Sequence, residues 1–264
     1  MQATASVQLH LTDFLDKFKD LAARYDHTTQ HSLELEQLID QYSSYITSES
    51  NRDIWGQLEQ QGSEAFDSLV EELRQQSARC VAIMEKYRAL KLLGGQVELG
   101  DYFQNIEACI EHEFGSFQVT PDSNVLLVGS GSFPMTPLLI AKRTGAEVIG
   151  IDIDEEAIDL GRQVVDRLGS ELNIRLERMY IEQLECIQDV THIIFSSTVS
   201  IKYELLDQLH SLTNERVVVA MRYGDQLKSL FNYPMREVDG GKWKLVNQIL
   251  RPDQIFDIAL YTKA

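Results

Sequence analysis

The sequence is poor in basic residues, proline, cysteine and long apolar runs, and each shortage excludes something. Lys and Arg number 24 against 41 Asp and Glu, a formal net charge of −17. Such a surface repels phosphate backbones and anionic lipid, and no Lys/Arg cluster offers a local exception, so neither nucleic acid nor membrane is an expected partner. The three cysteines, Cys80, Cys109 and Cys186, are odd in number, far apart and without a CxxC pair. That pattern fits free thiols in a reducing compartment better than a disulfide framework or a zinc site. No run approaches the ~18 apolar residues of a membrane span. The opening MQATASVQLHLTDFLDKFKD lacks the basic start and apolar stretch of a signal peptide. The expected location is the cytoplasm. Of the six histidines only His27 and His31 stand four apart, on a possible helix, and no acid or cysteine joins them at ligand spacing; no metal is expected.

What is present is ordinary globular material. The 264 residues are 44% hydrophobic and 25% charged, enough for a core and one or two domains. Proline is absent before Pro121, and residues 1 to 117 carry only helical signals. Leu11, Phe14, Leu15, Phe18, Leu21 and Ala22 repeat at three- and four-residue steps, as one face of a helix requires. The idea repeats in Leu33, Leu35, Leu38, Ile39 and Tyr42, then Trp55, Leu58, Phe66, Leu69, Val70 and Leu73, then Val81, Met84, Leu90, Leu92 and Leu93. Asp53 and Ser63 are candidate helix N-caps. This half reads as a helical bundle domain, residues 1–117, and it is acidic, with 9 basic and 20 acidic residues.

The pattern changes at the turn-rich GSFQVTPDSN. Short apolar runs follow at 124–128, 147–151, 173–176, 192–195 and 216–221, separated by helix-length stretches such as 134–144 and 155–168. Strands alternating with helices predict an α/β, doubly wound parallel sheet. Residues 243–250 and 254–262 read as a closing antiparallel pair. The second domain is therefore expected over 118–264.

The strand 124–128 ends in Gly129-Ser130-Gly131, a helix follows, and the next strand ends at Asp152, 21 residues after Gly131. Glycines there let backbone approach a ligand, the helix start favours an anionic group, and the acid can accept both ribose hydroxyls. Pro134 occupies the third glycine position of the dinucleotide fingerprint, so a nicotinamide cofactor is disfavoured and S-adenosylmethionine favoured. Gly129, Ser130, Gly131, Ser132, Pro134, Thr136, Asp152, Ile153 and Ser197 are the expected cofactor contacts. An adenine-contacting acid after the third strand is not evident in LERMYIEQLE, which leaves backbone groups near Arg178–Tyr180 for that role.

The loop Val128-Gly129-Ser130-Gly131-Ser132-Phe133-Pro134-Met135-Thr136 resembles the nicotianamine synthase loop, approximately VGxGPLPLT. Tyr102-Phe103-Gln104-Asn105, and Arg222 with Gly224, Lys228 and Tyr233-Pro234, extend the resemblance over roughly residues 75–235. The form is closest to the bacterial opine-metallophore branch, the staphylopine, pseudopaline and bacillopaline group. The resemblance implies a Rossmann-like S-adenosylmethionine-dependent transferase domain preceded by an all-α domain. It implies transfer of a 3-amino-3-carboxypropyl group to the amino group of D- or L-histidine, with release of 5′-methylthioadenosine. An opine dehydrogenase would be the pathway partner; a homodimer is one possible assembly.

By the same resemblance Glu85 is the catalytic base, with Tyr102 a second catalytic candidate. Arg222, Tyr223 and Lys228 are expected to bind substrate. Two departures stand out: Ile106 replaces a tyrosine, and Lys228 replaces an arginine, losing bidentate carboxylate recognition. Two other readings share the glycine loop: a small-molecule methyltransferase, and a non-catalytic cofactor-binding interaction protein.

Overall fold

The computed structural model describes residues 2–96 and 118–264. These fall into two compact units, neither continuous in sequence. The first comprises Met1–Tyr87, Tyr223–Met235 and Arg251–Asp257; the second comprises Arg88–Arg222, Arg236–Leu250 and Ile258–Ala264. This differs from the expected split of 1–117 and 118–264. The reason is where apolar side chains go: Leu227, Leu230 and Phe231, all from the C-terminal half, are buried in the helical core.

The first unit is built on α1 (Gln2–Ala23), α2 (Ser32–Thr47), α3 (Glu49–Gln61) and α4 (Glu64–Leu93), the last continuing beyond the unit. The apolar stripes meet as their spacing requires. Leu11, Phe14 and Phe18 of α1 share a core with Leu35, Leu38 and Tyr42 of α2, Trp55 and Leu58 of α3, and Phe66 and Leu73 of α4. Phe14 and Phe18 set their rings edge-on to Tyr42, with centroids 4.9 and 5.0 Å away. The buried Tyr42 hydroxyl donates to the Leu230 carbonyl at 2.9 Å, which satisfies a polar group inside the core. Ser63 caps α4 as expected, its hydroxyl accepting from the Phe66 N–H at 3.2 Å. Asp53 does not cap; α3 begins one turn earlier, so this acid lies within the helix.

The second unit carries a seven-stranded sheet. Its strands are β1 (Asn124–Val128), β2 (Glu147–Asp152), β3 (Ile174–Arg178), β4 (His192–Phe195), β5 (Val218–Tyr223), β6 (Trp243–Ile249) and β7 (Asp257–Lys263), in the order β3-β2-β1-β4-β5-β7-β6. The terminal residues Tyr223 and Asp257 group with the first unit. Pairings β1–β2, β1–β4, β2–β3 and β4–β5 are parallel, and β6–β7 is antiparallel, as the sequence pattern predicts. The helices are α5 (Met135–Thr144), α6 (Glu155–Gly169) and α7 (Lys202–Leu212). Ala89 and Leu92, from the last turns of α4, pack with Phe133, Leu138, Ile158, Val164 and Leu176 in this unit's core. The order reverses at β1, whose neighbours are β2 and β4. In such sheets the crevice at the carboxyl ends of those strands receives ligands.

Among the described residues no helix is long and apolar enough to cross a membrane.

Candidate functional site

The loop after β1 is shaped by its glycines. Gly129 has φ +80° and Gly131 φ +66°, the left-handed region that a side chain disfavours. A Cβ on Gly129 would also lie 2.8 Å from the Val199 Cγ2 and 3.1 Å from the Ser196 Cβ. The loop is held to the next strand by three bonds. Gly129 and Ser130 N–H groups donate to the Ile151 carbonyl at 2.9 and 3.1 Å. The Gly131 N–H donates to Asp152 Oδ2 at 3.0 Å. The other oxygen, Oδ1, accepts from the Asp154 N–H at 3.1 Å. An ionised carboxylate has about four lone-pair sites, so each oxygen of Asp152 retains acceptor capacity for a sugar hydroxyl.

Asp154 starts α6, its side chain accepting from the Ala157 N–H at 3.2 Å. Between the two acids Ile153 is 65% exposed, an apolar side chain facing water beside the strand end. Tyr180, after β3, is 63% exposed. Its N–H, one of the backbone groups near Arg178–Tyr180 expected to meet the adenine, donates to the Gln183 side chain at 3.0 Å. A short helical turn over Ile181–Gln183 accounts for this local pairing.

Pro134 is buried and immediately precedes α5, with φ −78°. Ser130 and Ser132 are buried, and neither hydroxyl has a hydrogen-bond partner among the described residues. Each is an unsatisfied polar atom in the loop that would face a ligand. Thr136, in the first turn of α5, accepts from the Arg222 guanidinium at 3.2 Å. That bond joins the helix after β1 to the end of β5. Ser197 is buried just past β4; Ser196 and Thr198 share a hydroxyl contact at 3.2 Å. The sequence reading missed Lys202, the first residue of α7. It is fully buried, and its ammonium donates to the Arg222 carbonyl at 2.7 Å and the Ser197 carbonyl at 3.4 Å. The only signal in the sequence is a lysine four residues after Thr198, at the start of an amphipathic helix.

Of the remaining site candidates, Glu85, Tyr223 and Lys228 belong to the first unit. Glu85 is half-buried on α4, followed by the buried Lys86 and Tyr87. Burial raises the Tyr87 hydroxyl above its usual range. Tyr223 is buried at the end of β5. Lys228 does not present an open charge: its ammonium donates to Asp257 Oδ1 at 2.6 Å and to the Arg251 carbonyl at 2.8 Å. Both members of the Lys228–Asp257 pair are almost buried, with 12% and 10% of their side chains exposed, so the lysine acts as an internal tie. Tyr102 and Ile106 lie outside the described residues, as does Cys109. His27 and His31 fall in the connection between α1 and α2 rather than on a helix. Among the described residues no group of three His, Cys, Asp or Glu side chains could hold a metal ion.

A family model described as a methyltransferase domain matches residues 120–258. An L-histidine 2-aminobutanoyltransferase of Pseudomonas aeruginosa is 28% identical over 87% of this chain and 86% of its own. The protein of the same name from Yersinia pestis is 29% identical over 92% and 91%. Among solved structures, MtNAS in complex with MTA and tNA superposes with a TM-score of 0.71 at 14% identity, covering 98% of both chains. A glutamate-to-glutamine mutant of MtNAS in complex with S-adenosylmethionine gives 0.67, over 95% of this chain and 98% of the other. The structural likeness extends over nearly the whole chain and establishes a shared fold.

Proposed function

The chain belongs to the methyltransferase-domain family, and on that premise we propose that it transfers the 3-amino-3-carboxypropyl group of S-adenosylmethionine to the amino group of L-histidine. The reading rests on a glycine loop, Gly129–Thr136, whose Gly131 N–H is bound to Asp152 at the topological switch point of the sheet. A ribose binds naturally against an acid so placed. The relatives named for histidine aminobutanoyl transfer, aligned over 87–92% of this chain, favour this arm of the donor over the methyl group.

The residues fit the donor. Gly129 and Gly131 give the loop its left-handed turns, and a Cβ on Gly129 would collide with the Val199 and Ser196 side chains that pack beside it. Asp152 holds the ribose hydroxyls, Ile153 supplies apolar surface for the adenine, and the buried Ser130 and Ser132 hydroxyls lie in the same loop. When bound, the sulfonium supplies an electrophilic γ-carbon. Pro134 stiffens the loop that sets the donor's bend, and Arg222 receives a carboxylate. Glu85 serves as the base: the histidine amine is protonated near neutral pH and must lose a proton before it attacks. The product side is a histidine derivative and 5′-methylthioadenosine. We place the reaction in the cytoplasm, ahead of an opine dehydrogenase that finishes the metal chelator. A homodimer is the assembly we propose.

The test is incubation of the full chain with S-adenosylmethionine and each histidine enantiomer, followed by mass spectrometry. 5′-Methylthioadenosine with an aminocarboxypropylated L-histidine is the expected result. S-adenosylhomocysteine would make it a methyltransferase, and donor binding without turnover would make it a binding protein. Pro134→Gly should loosen the choice of carbon and raise the share of methylated product; an unchanged ratio and affinity would remove Pro134 from that role.

A further inference from the structure

The lysine that opens α7 sits where a cation is expensive. Lys202 is 0% exposed. An ammonium taken from water loses its hydration and must be compensated by well-placed acceptors. Two such acceptors are the carbonyls of Ser197 and Arg222, at 3.4 and 2.7 Å. Ser197 lies two residues past β4 and Arg222 is the penultimate residue of β5, and these two strands are parallel neighbours. The ammonium therefore bridges the carboxyl ends of adjacent strands, on the edge where sheets of this class take ligands.

Arg222 is held at both ends. Its carbonyl accepts from Lys202, and its guanidinium donates to the Thr136 hydroxyl at 3.2 Å, in the first turn of α5. Thr136 belongs to the stretch that begins with the glycine loop. The sequence of contacts Lys202, Arg222, Thr136 thus links the loops after β4, β5 and β1. A neutral donor could tie two carbonyls together; a lysine adds a fixed positive charge that strengthens the field at this edge in a low-dielectric setting.

We infer that Lys202 is a positioning residue, fixing Arg222 so that the guanidinium and the local positive potential receive the carboxylate at the amino-acid end of the donor. The inference rests on the function proposed above, and it assigns Lys202 to one end of that ligand. The nucleoside end is assigned to Asp152, whose two carboxylate oxygens accept from the Gly131 and Asp154 N–H groups. The two ends can be separated with two ligands. S-adenosylmethionine carries the aminocarboxypropyl arm; 5′-methylthioadenosine lacks it.

The experiment is calorimetric titration of the full chain and of Lys202→Met with each compound. Methionine keeps the aliphatic length and removes the charge. The expected result is a loss of about tenfold or more in affinity for S-adenosylmethionine, the scale of one charge-assisted contact, with 5′-methylthioadenosine binding unchanged within about twofold. Lys202→Gln, which keeps a donor without the charge, should fall between the two and supplies the same paired titration if the methionine variant does not fold. Parallel losses for both ligands, or no loss for either, would overturn the inference while leaving the proposed function standing. Failure of the unaltered chain to bind either compound would overturn the function and this inference together.

Discussion

The two units hold their expected site residues in different ways. In the second, these residues bind one another: Gly131 to Asp152, and Arg222 to Thr136. In the first, Lys228 is joined to Asp257 and the Arg251 carbonyl, partners that no motif had brought forward. The contrast follows from how each unit is built. Parallel strands end side by side, so loops far apart in sequence are delivered to one edge and their polar groups meet there. Helices present side chains around their whole circumference, and the stripe that packs the core says nothing about which polar neighbour a given charge will find.

The sharpest way to test that contrast is Glu85→Gln. This keeps shape and removes the carboxylate proposed as the base. Turnover should fall by about 10²- to 10⁴-fold while donor affinity stays within about twofold. Single-turnover kinetics beside direct titration separates the two quantities, and near-normal turnover would return Glu85 to the ordinary surface of a helix.

Next in size is Asp257→Ala, which strands the Lys228 ammonium in a nearly buried place. Breaking such a pair costs about 3–5 kcal/mol, whereas replacing both members with apolar residues, as in Lys228→Met with Asp257→Leu, should recover most of it. Denaturant melts of the parent and of the two variants measure this. If Asp257→Ala is as stable as the parent but loses substrate affinity, Lys228 is a recognition residue after all.

A third test belongs to the sheet. His192, buried at the start of β4 beside the Thr191 hydroxyl at 2.8 Å, has its pKa lowered by desolvation from 6.5 to about 4. The unfolded chain then binds the extra proton and the folded chain does not between those values. Stability is fully present above pH 6.5 and is lost as the pH falls towards 4, by roughly 3 kcal/mol at most. His192→Gln should flatten that part of the stability–pH curve relative to the parent. An identical slope in both proteins would assign the acid sensitivity to carboxylates alone.

The smallest effects compare hydroxyls. Tyr42→Phe removes a buried bond to the Leu230 carbonyl and should cost about 1 kcal/mol, with the carbonyl left to its other donor, Ser77. Ser132→Ala removes a buried oxygen that has no partner among the described residues and should leave the melting temperature of the free protein unchanged or slightly raised. A clear destabilisation by Ser132→Ala would show that the loop depends on that oxygen even without ligand.

Much of the second unit was legible because its signals are local. The runs at 124–128 and 192–195 match β1 and β4 residue for residue, since each is a short apolar run bounded by turn residues. The Asp152 assignment rested on a strand–glycine–helix–strand spacing that leaves little choice of geometry. Edges were less legible: β5 runs two residues beyond the expected end and takes in Arg222 and Tyr223, because a strand continues wherever its neighbour offers partners. Asp53 looked like a cap, and tertiary packing extended α3 past it. Lys202 and the Lys228–Asp257 pair were invisible for a common reason. Their meaning depends on what surrounds them, and burial of a cation has no signature in one dimension.

The return of residues 223–235 and 251–257 to the helical unit has a practical consequence. A gene trimmed to start at residue 118 would encode a polypeptide still carrying Leu227, Leu230 and Phe231 but stripped of the aromatic and aliphatic partners that shelter them from water. The nucleotide-fold half is consequently no cassette to be excised or grafted, and shuffling by simple end-to-end fusion would have to bring both pieces along together.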